Sequence, residues 1–181
     1  MKILSSLHYL LMAVVVTVII ALVYATVQQS YRTAANDPQI QIAEDLGNKL
    51  NAGKSLEDIF QEDTIDIAKS LSPVIIFYDA GGKPIRSTGF LDGQMCKLPA
   101  GLFDYAKKNG MHSVSWQPRK GVRMAVVIVH TNSSVVSYVA AARSLREVEV
   151  REYNLRIMVF IAWIVCMVLI AISAGIYSYQ K

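Results

Sequence analysis

The sequence predicts an α+β domain, an antiparallel five-stranded sheet with flanking helices, set between two transmembrane helices. Three observations carry that prediction. Residues 7–27 and 157–177 each run for 21 residues without a charged side chain; as a helix such a run is about 31 Å long, against a hydrocarbon core of about 30 Å. Residues 28–156 hold all 14 acidic side chains and every basic one except Lys2 and Lys181. Within that stretch, helical spacing gives way after Pro73 to β-branched and aromatic runs divided by turn residues, and it returns at Arg143.

Residues 28–156 are numerous enough for one domain with its own core. Their 16 basic and 14 acidic residues leave a net +2 with no basic tract, which argues against a nucleic-acid partner. The short tails, 1–6 and 178–181, carry Lys2 and Lys181 and no acid. Positive charge favours the inner side, so both termini are expected in the cytoplasm and the loop outside the cell (inner) membrane. The first run is too long for a signal-peptide core, and Val23-Tyr24-Ala25 is a poor cleavage site, so an uncleaved anchor is expected. Cys96 falls in the loop and Cys166 within the second run, so they are not expected to bridge, and neither has metal-ligand spacing.

Taken in order, the first span is expected to continue helical through Arg32, until Asn36-Asp37-Pro38 interrupts it. Asp37 suits an N-cap and Pro38 the first helical position. Ile40, Ala43, Leu46 and Leu50 follow at helical spacing, and Gly53 is a stop. Ser55-Leu56-Glu57-Asp58 resembles a helix start. Ile65, Ala68 and Leu71 suggest another short helix, closed by Pro73. Val74–Tyr78 and Pro84–Thr88 make a hairpin around the five-residue loop Asp79-Ala80-Gly81-Gly82-Lys83. Gly89–Pro99 is turn-rich, and Ala100–Lys108 is a short helix ending at Asn109-Gly110. Ser113–Gln117, Val122–His130 and Val135–Ala142 are three further strands. The second of these is apolar on both faces, as a centrally packed strand is. From Arg143 to Arg156 an amphipathic exit helix, free of proline and glycine, runs to the second span.

No catalytic order is present: the three histidines, His8, His112 and His130, stand without a nucleophile signature, and no zinc motif or phosphate loop occurs. The chain is not expected to be an enzyme, and no cofactor or metal is expected. Asn132-Ser133-Ser134 matches a glycosylation acceptor, but a simple turn explains it as well. Ala21 with Ala25 and Ala171 with Gly175 are small-xxx-small pairs that permit close helix contact in a membrane, and so a homodimer, although small residues are common in any span.

Strand, strand, helix, strand, strand, strand, flanked by helices and two spans, resembles the extracytoplasmic PAS-like (PDC or Cache-type) sensor region of bacterial two-span membrane receptors such as sensor histidine kinases. The residues that carry the resemblance are Ile75–Ile85, Trp116-Gln117-Pro118 with Gly121-Val122-Arg123, and Ala142–Glu149 leading to the second span. It covers residues 28–178, through the order of elements rather than any one motif. The resemblance implies a small-molecule ligand held between the sheet and its covering elements. Tyr78, Arg86, Trp116, Arg123 and Tyr138 are the candidate ligand-binding residues, with Tyr105 beside them: arginine forks a carboxylate and aromatic walls hold an amine or apolar body. The ordinary alternative for each is a core or rim aromatic, or a solvated arginine. Such receptors continue into a transmitter, whereas only Ser178-Tyr179-Gln180-Lys181 follow here. The expectation is therefore a sensor acting on a separately encoded kinase or other membrane protein of a two-component system. The alternatives are a non-sensing envelope assembly or docking subunit, or a truncated sensor histidine kinase.

Overall fold

The computed structural model describes residues 2–60 and 63–180, with side chains from residue 7 onward; Lys181 and the side chain of Lys2, which enter the orientation argument, lie outside the described residues. The chain divides into two compact units, residues 33–147 and the helical pair 1–32 with 148–181. The elements in order are α1 (Lys2–Ala34), α2 (Asp37–Asn51), α3 (Leu56–Ile59), β1 (Ile65–Asp66), β2 (Val74–Tyr78), β3 (Pro84–Ser87), β4 (Gly89–Leu91), β5 (Gln94–Met95), α4 (Ala100–Asn109), β6 (Met111–Arg119), β7 (Val122–His130), β8 (Tyr138–Ser144) and α5 (Arg146–Tyr179).

Five strands form one antiparallel sheet in the order β3-β2-β8-β7-β6. Period-two alternation sends the two sets of side chains to two separate cores. Val74, Ile76, Tyr78, Met124, Val126, Ile128 and Tyr138 pack with Phe103 and Ala106 of α4. Phe77, Val136 and Val139 pack with Leu46 and Leu50 of α2, and Ala141 and Val127 with Ala43. The apolar residues on both faces of β7 are thus buried, Val129 only partly, as the sequence pattern requires. Small residues explain how closely α2 lies on the sheet: a Cβ on Gly47 would come within 3.2 Å of the Val129 side chain.

Several expectations are corrected. Ile65, Ala68 and Leu71 do not form a helix. The Ile65 and Ile67 amides donate to the Thr88 and Phe90 carbonyls at 2.7 and 3.0 Å, and β1 runs parallel to β4. The Asp66 carboxylate takes the Ala68 amide at 3.0 Å, a local bond that competes with helix formation. Residues 89–99 hold two short strands, so a second, three-stranded sheet β1-β4-β5 exists. Asn36 rather than Asp37 is the N-cap of α2 and makes no side-chain cap bond. The last strand starts at Tyr138 and extends through Ser144, and α5 begins at Arg146 rather than Arg143.

In the helical unit the described residues of α1 and α5 form an antiparallel pair. Arg32 meets Glu152 at 3.0 Å, the Trp163 indole N–H donates to the Thr17 hydroxyl at 3.0 Å, and the Tyr9 hydroxyl donates to the Ser173 carbonyl at 3.4 Å. The less exposed positions recur every three or four residues: Tyr9, Ala13, Val16, Ile20 and Tyr24 on one helix, Leu155, Val159, Trp163, Cys166 and Ile170 on the other. Both helices contain a stretch long and apolar enough to cross a membrane.

Candidate functional site

Local sequence chemistry builds an open cleft in the domain. Gly53, at φ +83°, ends α2. The Gly53 and Lys54 amides donate back to the Leu50 and Lys49 carbonyls at 3.0 and 3.1 Å, a Schellman closure. The chain then turns into α3, where the Ser55 hydroxyl accepts the Asp58 amide at 3.2 Å and donates to its carboxylate at 2.7 Å. On the other side, the loop from β7 to β8 is fastened to itself. The Thr131 amide donates to the Ser137 carbonyl at 2.9 Å, and the Thr131 hydroxyl donates to the Val136 carbonyl. The Asn132 amide donates to Asn51 Oδ1 at 2.8 Å, joining the loop to the end of α2.

Between these parts and the edge strand β3 lies a cleft of about 570 Å³. Leu50, Leu56, Ile85 and Val136 supply its apolar surface, and Asn51, Lys54, Glu57, Arg86, Asn132, Ser133 and Ser134 its polar surface. The volume falls within the usual range for small-molecule sites. The Arg86 guanidinium carbon sits 5.8 Å from the Phe60 ring centre, and Phe60 meets Phe77 edge-on at 6.1 Å. Among the described residues, Lys54, Glu57 and Arg86 make no ion pair.

Of the five sequence candidates, Arg86 alone lines this cleft. Tyr78 and Tyr138 are paired across β2 and β8 and lie on the opposite face, in the α4 core. The Phe103 ring lies 4.9 Å from Tyr78 and 5.0 Å from Tyr138, so aromatic side chains fill the space between them. Burial pushes both phenols above their ordinary pKa. Trp116 is half-buried at the margin of that same core. Arg123 is exposed and, by alternation from Met124, points to the α2 face. β2 and β8 separate its strand from that of Arg86. The five residues are therefore divided between two faces of the sheet. Tyr105 is exposed and packs at a tilt against His112 with ring centres 4.3 Å apart. Ala21, Ala25, Ala171 and Gly175 are exposed and lie off the seam between α1 and α5.

Lys54, Glu57 and Asn132 escaped the sequence reading because long stretches of chain separate them from Arg86. The one local signal was Gly53, which marks where α2 stops and the cleft opens. Cys96 is buried, and burial pushes its thiol up to about 11. Among the described residues, no group of three or more His, Cys, Asp and Glu is placed to hold a metal ion. No protein-family model matches this chain, and no curated protein or solved structure is detectably similar to it.

Proposed function

We propose that this chain is a membrane-anchored signal-input protein with an extracytoplasmic, PAS-like domain. The domain takes a small molecule in the cleft beside Arg86 and passes the change along α5 to a partner, a separate kinase or another membrane protein. The observation that carries the reading is the connection of sheet to span. β8, the middle strand, ends at Ser144, and the membrane-length helix α5 begins two residues later at Arg146. A shift of the sheet has no slack through which to dissipate.

The root of α5 is also fastened within the domain. The Leu145 amide donates to the Arg123 carbonyl at 2.8 Å, Arg143 Nε to the Leu71 carbonyl at 3.3 Å, and an Arg146 guanidinium N–H to the Ala68 carbonyl at 2.6 Å. The cleft lies at the other end of β8, against the loop that precedes it. A ligand that draws together α2, β3 and that loop would therefore act on the strand whose far end holds α5. Transmission through a packed element that moves as a body is an established form of switching. The order of strands and helix within one antiparallel sheet supports the PAS-like assignment.

The test uses the full chain in lipid nanodiscs, screened with small molecules by thermal shift. The reading expects binders that lose their shift in Arg86→Ala and that alter hydrogen exchange over residues 143–156. Binders indifferent to Arg86→Ala and silent in α5 would overturn it. So would a chain released from vesicles by carbonate washing. Stoichiometric recovery with envelope proteins and no small-molecule response would favour the docking subunit.

A further inference from the structure

The polar groups of the cleft specify more than a generic anion. Among the described residues, Lys54 and Arg86 supply two cations and Glu57 one carboxylate, leaving the wall one positive charge in excess. Asn51, Asn132 and Ser134 add short uncharged polar groups to the same wall. Asn51 Oδ1 is occupied by the Asn132 amide, which leaves the Asn51 NH2 as a donor.

We infer that the cleft binds a small polyhydroxylated monoanion, the chemistry of a sugar acid; this rests on the reading of the cleft as the input site. The carboxylate of the ligand lies against Arg86, whose planar fork matches two carboxylate oxygens, with Lys54 as the second cation. Hydroxyls both donate and accept, so the same ligand satisfies the Glu57 carboxylate and the amide and hydroxyl groups around it. Other classes match less well. A neutral sugar leaves the excess positive charge uncompensated. A phosphorylated sugar brings a second negative charge toward Glu57. A plain dicarboxylate presents acceptors to a wall that already contains an acceptor. An amino acid pairs its ammonium with Glu57 but leaves the asparagine and serine groups to water. Leu50 and Ile85 receive the C–H face of the ligand, and among the described residues no aromatic ring lines the cleft for stacking.

The experiment is calorimetric titration of the full chain in nanodiscs with D-glucuronate, D-glucose, glucose 6-phosphate, glutarate and L-glutamate. D-glucuronate is expected to bind most tightly. Arg86→Ala is expected to weaken it roughly ten- to hundredfold, the loss typical of a charged hydrogen-bonding partner. Lys54→Ala serves as a second variant should Arg86→Ala fail to fold. Glu57→Gln is expected to narrow the preference for glucuronate over glucose 6-phosphate. Lys120→Ala, in the β6–β7 turn away from the cleft, is expected to change nothing. Tighter binding of glutarate or L-glutamate, undiminished glucuronate binding in Arg86→Ala, or no binding by any of the five overturns the inference. An Arg86-dependent ligand of another class would remove the sugar acid while leaving the input reading intact.

Discussion

The Tyr78 hydroxyl donates to the main-chain carbonyl of Cys96 at 3.0 Å inside the α4 core. One bond thus ties the end of β2 to the segment that leaves the small sheet for α4. Tyr78 is fully buried and Cys96 nearly so, which excludes water as a substitute partner. Removing the hydroxyl leaves the Cys96 carbonyl unsatisfied. Tyr78→Phe is expected to destabilise the domain by about 1–3 kcal/mol. Phe103→Ala, which opens a cavity between Tyr78 and Tyr138, is expected to cost about 3–5 kcal/mol. Denaturant melts of the full chain in nanodiscs check both values and their order.

Cys96 is expected to be chemically silent in the folded protein. Its thiol is pushed up to about 11 by burial, so at pH 8 the reactive thiolate is scarce as well as covered. Alkylation at pH 8 followed by peptide mass spectrometry should leave Cys96 unmodified until denaturant is added. Rapid native labelling would show that this core opens.

Gln39 is the polar group most out of place. It is fully buried in the first turn of α2, and among the described residues neither atom of its amide has a hydrogen-bond partner. A buried, unpaired amide costs more than an apolar side chain of similar length. Gln39→Met is expected to raise stability by about 1 kcal/mol, part of the penalty for an unsatisfied group. Gln39→Ala, which removes packing along with the amide, should gain less. An unchanged or lowered melting temperature in Gln39→Met would mean that the amide is satisfied in solution.

Asp66 gives the small sheet a dependence on acid. The Ala68 amide, and after it the Lys69 ammonium at 3.3 Å, hold its carboxyl below the free value of 3.8. A lowered folded-state pKa stabilises the fold above the unfolded value and is lost as the pH falls through the folded one. Wild type is therefore expected to melt higher than Asp66→Asn at pH 6. The gap should close as the pH drops below 3.8. A gap that is constant from pH 6 to pH 2 would refute this. The group is exposed, so the effect is small.

The main sheet was legible because its strands are runs of β-branched residues with turn chemistry between them. Val122–His130 coincides with β7, and Asp79–Lys83 forms the hairpin loop, with Asp79 accepting the Gly81 and Lys83 amides at 2.9 and 2.8 Å. The small sheet was missed for two reasons. Ile65, Ala68 and Leu71 fit helical spacing, yet distant partners at Thr88 and Phe90 claim that backbone. The pair Asp92-Gly93 did carry a hairpin signal: both residues have positive φ, +51° and +76°, joining Leu91 to Gln94 as two-residue turns require. Val135 fits the apolar pattern of the last strand but is exposed, because the loop that closes the cleft runs on to Ser137. The cleft itself depends on which strand becomes the sheet edge beside α2. Local spacing does not encode that choice, so Arg86 was found only as an arginine on a strand.

The last prediction concerns the helical pair. Trp163 Nε1 donates to the Thr17 hydroxyl at 3.0 Å, within the apolar stretches of α5 and α1. Thr17 also donates to the Ala13 carbonyl at 2.8 Å in its own helix, so its hydroxyl is oriented to accept from the indole. In lipid an unpaired indole N–H finds no water, although the separated helices find other partners for it. Interhelical bonds of this kind are worth about 0.6 kcal/mol on average and up to about 1.7. A double-mutant cycle of Trp163→Phe and Thr17→Val, read by unfolding in bicelles, should return a coupling within that span. Arg32 with Glu152, the former largely exposed, should contribute less than about 1 kcal/mol and weaken with salt. Zero coupling between Trp163 and Thr17 would mean that the two helices do not pair along this seam in the bilayer.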